Sequence, residues 1–305
     1  MSSARAHSSV MATLTTVVAA CLAVACGPSR TSSTELPVAA TTTEVADFAR
    51  IVGGAKVRVY DLVRPGIDPH DFDPSPADLE ALRRAAVVVE NGVGLERWLG
   101  PALDAAGSHA VVVDTSAGIT LRPGGPGEPG DPHIWHDPRN AQRMVTAVAE
   151  SFALADPAHA SSYRANGATY VEVLRALDDD IAGRLATLAD KRLVTNHDAF
   201  GYYAARYGLD VIGSVIPSAD TSAELSAAGT IRLVRQIKAQ HVRAVFAESD
   251  LPPKMAAAIA RQAGVKVVEG ADALYGDSLG PTGSAGATYL QMMRHNTEVI
   301  VANLS

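Results

Sequence analysis

The stretch PAHASSYRANGATYVEVLRALDDDIAGRLATLA, residues 157–189, decides the architecture that this sequence predicts. It has no strand pattern, no pair of glycines and no proline after its first residue. Large apolar residues recur along it at spacings of three, four and seven, namely Tyr163, Tyr170, Leu174, Leu177, Ile181 and Leu185. This spacing predicts one long helix with a buried face. At ~1.5 Å per residue such a helix spans roughly 50 Å, enough to join two separate lobes.

Short apolar runs rich in β-branched residues alternate with helical patterns on both sides of this segment. The predicted strands are residues 57–63, 86–90, 110–114, 192–195, 210–216, 242–247 and 265–268. Short buried strands between helices indicate parallel sheets covered on both faces. We therefore predict an α/β fold of two lobes, each with a parallel sheet flanked by helices. The N-terminal lobe is expected at 36–156 and the C-terminal lobe at 190–305, joined by one rigid helix at 157–189.

Several of the intervening helices have clear end signals. Ser75 is a candidate N-cap, followed by proline and then by an acid, and its helix should run to about Ala85. A helix at 200–207 should stop at Gly208, because glycine readily adopts the left-handed conformation that ends helices. Residues 223–240 carry apolar positions at helical spacing, which predicts a further amphipathic helix.

The amino terminus has the pattern of a bacterial export signal. Arg5 precedes a mostly apolar run that is too short and too interrupted by threonine to span a bilayer, so we predict a signal peptide at 1–25. A run of small residues then leads into Cys26, and this pattern resembles a lipoprotein cleavage box. Residues 26–35 would form a polar tether. Cys21 fits such a box as well, and ordinary cleavage without a lipid is a third possibility. No later apolar run approaches about 18 residues.

Charge and cysteine content exclude some classes of partner and structure. The formal net charge is −7 and no basic cluster follows Ser29, which argues against a nucleic-acid partner. Cys21 and Cys26 are the only cysteines, so a chain that starts at Cys26 forms no internal disulfide. A chain of this size has a core large enough to do without one. We expect an extracytoplasmic, membrane-anchored or periplasmic monomer.

Four of the nine histidines gather in three motifs at strand-to-loop or loop-to-helix junctions. The motifs are Asp68-Pro69-His70, Asp131-Pro132-His133-Ile134-Trp135-His136 and Asn196-His197-Asp198-Ala199-Phe200-Gly201. A further junction offers the carboxylate of Asp277 in a loop flanked by glycines. Ligands of open α/β sheets bind at the carboxyl ends of the strands, where such junctions lie. Three imidazoles and one carboxylate form a four-coordinate set that suits Zn²⁺ and lacks the thiolates of structural zinc clusters.

These motifs, in this order, resemble the zinc and manganese receptors of ABC importers, the cluster A-I or TroA-like solute-binding proteins. The matching stretches are 66–76, 131–138 and 197–202, and the tail matches at Leu274-Tyr275, Asp277-Ser278-Leu279, Tyr289, Met292-Met293 and Asn296. The resemblance runs from about residue 37 to 304. It implies four metal ligands in a cleft between the two lobes, namely His70, His133, His197 and Asp277. It also implies an ABC permease with its ATPase as partners.

The resemblance also bears on the identity of the metal. Manganese receptors of this kind typically place Glu where this chain has His197, so His197 points to zinc. Two departures stand out. Zinc receptors often carry a long His-rich loop between the first two ligands, whereas residues 122–130 contain no His and form either a mobile flap or a plain surface loop. His136 stands where the family commonly has Leu, and we interpret it as a supporting residue rather than a ligand.

Other motif residues are expected to support the ligands. Ligating imidazoles usually donate their second N–H to a carboxylate or carbonyl oxygen. The candidates for that role are Asp68, Asp131, Asp198 and Glu248, and Asp198 could cap a helix instead. Trp135 is expected to pack around the site and help exclude water.

We therefore predict a receptor that captures Zn²⁺, either from solution or from a metallochaperone, and delivers it to an importer. The alternatives within the fold are a Mn²⁺ or Fe²⁺ receptor and a surface adhesin-type lipoprotein. An enzyme is not expected, because four side-chain ligands leave no open position for a catalytic water and the chain has no His-Glu-x-x-His motif.

Overall fold

The computed structural model describes Met1 and residues 35–125, 127–221 and 226–305. Apart from Met1 and Glu35, the predicted signal peptide and tether, with Cys21 and Cys26, lie outside this range. Among the described residues, no helix has the length and apolar character needed to cross a membrane.

The first half of the chain builds a four-stranded parallel sheet. Its strands are β1 (Leu36–Ala40), β2 (Val57–Asp61), β3 (Val87–Glu90) and β4 (Val111–Asp114), in the order β2-β1-β3-β4. The connecting helices are α1 (Thr43–Gly53), α2 (Pro76–Arg84) and α3 (Leu99–Ala106). In the register of the sheet, Val38 lies opposite Val59 on one side and Val87 on the other. Parallel pairing of these strands is what the alternating sequence pattern predicts.

The central strand β1 is missing from the strands predicted by sequence. It is short, and it contains Pro37, a residue that is rare inside central strands. Its pairing with β3 begins only at Val38, and the carbonyl of Pro37 accepts a hydrogen bond from the N–H of Ala86. The proline therefore sits where the pairing to β3 has not yet begun, and the sheet tolerates it.

A long helix follows the first sheet, as predicted. After α4 (Pro138–Ala155) and a 3₁₀ turn at Pro157–His159, α5 runs from Ala160 to Ala186, 27 residues. All six residues of the predicted apolar face are buried. The helix ends three residues earlier than expected and begins after the 3₁₀ turn, so it spans about 40 Å rather than 50 Å.

The second half of the chain repeats the alternation of strands and helices. Its elements are β5 (Arg192–His197), α6 (Gly201–Tyr207), β6 (Asp210–Ile216), α7 (Ala227–Ala239), β7 (Ala244–Phe246), α8 (Lys254–Ala263), β8 (Lys266–Val268) and α9 (Tyr289–Leu304). Strands β5 and β6 pair in parallel, and so do β7 and β8. Buried residues of β5, β6, β7, α7 and α8 form one apolar cluster. This half is therefore also α/β, with helices packed on its sheets.

Helix ends follow the local chemistry of the sequence. Ser75 and Asp78 form a capping box at the start of α2, and Gly208 ends α6 in the left-handed conformation. Helix α7 begins later than the predicted residue 223, because the side chain of Ser226 caps it by accepting a hydrogen bond from the N–H of Gly229. Residues 222–225 lie outside the described range.

The largest apolar cluster unites elements from both halves of the chain. It contains residues of the first sheet, α1, α4 and α5, and also of α6 and α9. Phe48 of α1, for example, contacts Tyr289 of α9 edge to face, with ring centroids 5.0 Å apart. This shared core holds the segments that follow β2, β4 and β8 near the end of β5, and the four candidate ligands lie at these places.

Candidate metal centre

His70 lies in the loop between β2 and α2, which its neighbours hold in place. Gly66 has a φ of +80°, a conformation that favours glycine, and its N–H donates to Ser278 Oγ at 2.9 Å. Asp68 Oδ1 accepts the backbone N–H of His70 at 2.8 Å. Pro69 offers its carbonyl to Trp98 Nε1 at 3.0 Å. These contacts fix the direction in which the His70 side chain leaves the loop.

The other three candidate ligands reach the same point from separate elements. His133 immediately precedes the 3₁₀ turn Ile134–His136. His197 is the last residue of β5, at the carboxyl end of the strand. Asp277 lies in the loop between β8 and α9, and its N–H donates to Asp250 Oδ2 at 2.9 Å.

The four side chains converge so that one atom from each lies within 4.8 Å of all the others. The Nε2 atom of His133 lies 3.4 Å from that of His70 and 3.3 Å from that of His197. Asp277 Oδ2 lies 3.4 Å from His70 Nε2 and 3.0 Å from His197 Nε2, and its Oδ1 lies 3.2 Å from His133 Nε2. Ligand atoms of a tetrahedral zinc ion with bonds of about 2.0–2.1 Å are roughly 3.3–3.4 Å apart. The arrangement can therefore hold one metal ion.

The site is shielded from water. The side chains of His133 and His197 are fully buried, Asp277 is 1% exposed, and His70 is 5% exposed. A buried carboxylate among three imidazoles is costly unless a cation compensates it. A metal ion or protons on the imidazoles would supply that compensation.

Without a metal, protons on the imidazoles compensate the buried charge of Asp277. Burial alone would raise the pKa of Asp277, but the neighbouring imidazoles of His197 and His133 hold it well below its usual range. Burial opposes the charged form of His133, yet Asp277 and Asp131 raise its pKa to about 9. The pKa of His197 is likewise raised well above its usual value by Asp277 and Glu248, against the effect of burial. An incoming metal ion must therefore displace protons.

Two of the predicted supporting carboxylates contact ligating imidazoles. Asp131 Oδ1 lies 2.8 Å from His133 Nδ1. Glu248 Oε2 lies 2.6 Å from His197 Nδ1, and Glu248 Oε1 accepts the backbone N–H of His197 at 2.8 Å. Each contact directs the opposite nitrogen, Nε2, toward the common centre.

The other predicted supporting residues act differently. Asp68 binds the backbone of His70 rather than its ring. Trp135 Nε1 and His136 Nε2 both lie within hydrogen-bond distance of the Gly276 carbonyl, at 3.2 and 3.0 Å, so they hold the residue before Asp277. Burial lowers the pKa of His136 to about 3, so it is neutral and donates from Nε2.

Asp198 does not have the expected role. Its side chain is exposed and forms no hydrogen bond with the part of the chain that the structure describes. Helix α6 has Phe200 at its N-cap, without a side-chain cap. Asp198 therefore supports neither an imidazole nor the helix, because it points away from the cluster into solvent.

Two further buried carboxylates near the site were not found from the sequence. Asp250 binds the N–H of Asp277, and burial together with the charge of Asp277 raises the pKa of Asp250 to about 8. Burial raises the pKa of Glu44 to about 8 as well. The position of Asp250, two residues after Glu248 and just beyond β7, is the signal that could have identified it.

A cavity of about 170 Å³ borders His70. Charged residues from both halves of the chain line it, including Arg97, Glu128 and Asp220. Arg97 forms an ion pair with Asp220. The next residue, Thr221, donates from Oγ1 to Asp68 Oδ2 at 2.5 Å. Both contacts link the first half of the chain to the second near His70.

Comparison with known proteins places the chain in one family. Residues 38–303 match the ZnuA family, described as zinc-uptake complex component A, periplasmic. The chain is 33% identical over 283 residues to the manganese-binding lipoprotein MntA of Bacillus subtilis (strain 168), covering 90% of this chain and 92% of that protein. It is 32% identical over 267 residues to the zinc-binding protein TroA of Treponema pallidum (strain Nichols), covering 86% of each.

Solved structures agree with these sequence matches. The periplasmic zinc-binding protein TroA from Treponema pallidum superposes with a TM-score of 0.81 at 28% identity, covering 89% of this chain and 99% of that one. A crystal structure of ZnuA superposes with a TM-score of 0.78 at 27% identity, covering 89% and 100%. The α/β fold with parallel sheets and one long helix is thus the fold of these receptors. The chain belongs to the ZnuA family of extracytoplasmic metal-binding receptors for ABC importers, which are solute-binding proteins and not enzymes.

Proposed function

We propose that this receptor captures Zn²⁺ through His70, His133, His197 and Asp277 and delivers it to the permease of an ABC importer. The observation that carries the proposal is the convergence of three Nε2 atoms and one carboxylate at separations of 3.0–3.4 Å in a buried pocket. No thiolate takes part, and cargo that must later be released is better held by such a set than by a structural thiolate cluster.

The donor set favours zinc over manganese. Three imidazoles are softer ligands than the carboxylates that suit Mn²⁺. The relatives carry both kinds of name, since MntA is called manganese-binding and TroA zinc-binding. Both oxygens of Asp277 face imidazoles, so bidentate binding would raise the coordination number to five. A Mn²⁺ or Fe²⁺ cargo is therefore the alternative that the experiment must address.

The placement of the ligands suggests how the metal is released. His70 and His133 precede the long helix α5, whereas His197 and Asp277 follow it. A movement of the half before α5 relative to the half after it would separate the two pairs of ligands. Docking on a permease can therefore weaken metal coordination without a change in the conformation of any one loop. This step needs the proposed lobes, 36–156 and 190–305, to move as units about the helix.

Metal content and calorimetry test the proposal. Protein purified without chelators should contain about one zinc per chain by elemental analysis, with little manganese or iron. His197→Ala should lose zinc affinity by at least about a hundredfold, since it removes one of four ligands. His109→Ala, an exposed histidine away from the site, is the matched control and should bind zinc like the unaltered protein. Bound manganese in place of zinc, or unchanged affinity of the His197 variant, would contradict the proposal.

The remaining proposals concern the membrane attachment, the oligomeric state and the partners of the receptor. We propose lipid attachment at Cys26, with Cys21 as the alternative, supported by the name lipoprotein given to MntA. Mass spectrometry of the mature amino terminus distinguishes the two sites. We also propose a monomer that receives metal either from solution or from a metallochaperone. An adhesin role would require a partner that binds equally to metal-free and metal-loaded protein.

A further inference from the structure

A second cavity, separate from the four candidate ligands, is lined by an unusual number of arginines. Its volume is about 290 Å³, and Arg122, Arg139, Arg143 and Arg206 all line it. The chain as a whole carries a formal net charge of −7. A cluster of four positively charged guanidinium groups around one cavity is therefore unusual for this protein. The arginines come from both halves of the chain, at the base of the 122–131 loop and on α4 and α6.

Two of these arginines are held rigidly and keep donors unused. Arg139 binds Asp137 through Nε and Nη2, and Arg206 binds Asp178 through Nε and Nη2 at 2.9 and 2.6 Å. Within residues 35–125, 127–221 and 226–305, the Nη1 group of neither arginine bonds a protein acceptor. Carboxylates thus fix both guanidinium planes and leave one end of each free for a ligand.

The other two arginines also keep donors unused. Among the described residues, Arg143 donates only from Nη1, to the Gly118 carbonyl at 2.8 Å, and pairs with no carboxylate. Arg122 forms an ion pair with Asp131, but its Nε lies 3.7 Å from the carboxylate oxygen and, in the described part of the chain, this buried atom has no hydrogen-bond partner. The Arg122 guanidinium instead stacks over the ring of Tyr202, with Cζ 5.8 Å from the centroid.

The number of unused guanidinium donors around one cavity favours a particular class of ligand. A carboxylate offers two oxygens and is satisfied by one guanidinium fork, whereas a phosphate group presents three or four oxygens to several forks at once. We propose that this cavity binds a phosphate group, either as inorganic phosphate or as the phosphate of an anionic lipid headgroup. The proposal is independent of the metal cargo.

Calorimetry with inorganic phosphate on the metal-free protein tests the soluble form of the ligand. Arg122→Gln and Arg143→Gln should each weaken binding at least about tenfold, because each removes charge-assisted hydrogen bonds. Arg175→Gln is the matched control, since Arg175 is an exposed arginine of α5 that pairs with Glu172 and should leave binding unchanged. Circular dichroism of each variant establishes that it is folded, and both targeted side chains are exposed enough for this to be expected.

Co-sedimentation with vesicles tests the lipid form. With lipid attachment prevented by Cys21→Ser and Cys26→Ser, phosphatidylglycerol vesicles should retain the protein and phosphatidylcholine vesicles should not, with retention reduced in both targeted variants and kept in the control. Binding in either arm that depends on Arg122 and Arg143 supports the proposal and names the source of the phosphate. Absence of binding in both arms, or binding that neither variant weakens, overturns it. Because neither readout requires zinc, its failure would leave the metal proposal standing.

Discussion

Asp131 Oδ1 accepts two hydrogen bonds from His133, one from the backbone N–H at 3.0 Å and one from the ring Nδ1 at 2.8 Å. The carboxylate therefore fixes both the ring orientation and the tautomer, leaving the Nε2 lone pair for a metal ion. Glu248 contacts His197 at the same two places, accepting a hydrogen bond from its backbone N–H and lying 2.6 Å from its Nδ1 as a charged neighbour. A local sequence signal, an acid near the histidine, accounts for the first of these pairs but not for the second.

Replacing Asp131 should weaken metal binding without unfolding the protein. In Asp131→Asn the amide oxygen can still accept one hydrogen bond, but the charge that supports the imidazole is lost. We expect zinc affinity to fall about 10- to 100-fold by calorimetry. Asp104→Asn, at an exposed position on α3, should leave affinity unchanged. Equal affinities for the two variants would show that Asp131 does not support the site.

Metal binding should release protons and strengthen with pH beyond neutrality. The pKa of His133 is raised to about 9 in the metal-free pocket, so zinc binding at pH 7 must remove a proton from this ring. Calorimetry in buffers of different ionisation enthalpy should report net proton release at pH 7. A binding constant that reaches its plateau by pH 7, with no protons released, would contradict the raised pKa.

The metal-free protein should show the opposite trend in stability. Because the folded-state pKa of His133 exceeds the ordinary histidine value of 6.5, this group stabilises the fold fully below pH 6.5 and loses its contribution as the pH rises through about 9. Asp277, whose pKa is depressed, contributes above the ordinary aspartate value of 3.8 and loses that contribution as the pH falls through its folded pKa. Thermal unfolding with a chelator present should therefore show a Tm that falls between pH 6.5 and 9. A Tm that rises across this range would contradict the electrostatic arrangement.

The hydrogen bond from Thr221 to Asp68 should slow the escape of metal. Asp68 uses its other oxygen to hold the backbone of His70, so the bond links the second half of the chain to the loop that carries this ligand. In Thr221→Val the zinc dissociation rate, measured by stopped-flow competition with a chelator, should rise about three- to tenfold. Thr146→Val removes a comparable hydroxyl from the exposed face of α4 and should not change the rate. A rate unaffected by Thr221→Val would mean that this hydrogen bond does not control release.

Gly276 should tolerate no side chain. A Cβ at this position would lie 2.1 Å from Glu248 Oε2 and 3.2 Å from His197 Cε1, so it would displace the carboxylate from the imidazole. We expect Gly276→Ala to lower zinc affinity at least about tenfold. Gly183→Ala, in α5 with no heavy atom near the added Cβ, should bind normally and unfold at the same or a higher temperature. Normal zinc binding by Gly276→Ala would show that Glu248 need not touch His197.

The sequence predicts the helices and most strands because their signals are local. Strand β1 is not predicted because Pro37 argues against a strand in the sequence pattern. Its pairing depends on two strands that are distant along the chain. The histidine motifs mark junctions where ligands commonly lie, but the contacts that support them are set by tertiary packing. Asp250 lies in the loop after β7 and Gly276 in the loop after β8, and only tertiary packing brings both to the site. Asp198 is the opposite case. It follows His197 directly in the sequence, but its side chain supports none of the ligating imidazoles.

X-ray anomalous scattering at the zinc edge, on crystals of the zinc-loaded protein, tests the central claim most directly. We expect a single strong peak about 2.0–2.2 Å from the Nε2 atoms of His70, His133 and His197 and from an oxygen of Asp277. The peak should be absent just below the zinc edge. A peak elsewhere on the protein, or none within bonding distance of these four side chains, would contradict the claim that they hold the transported metal.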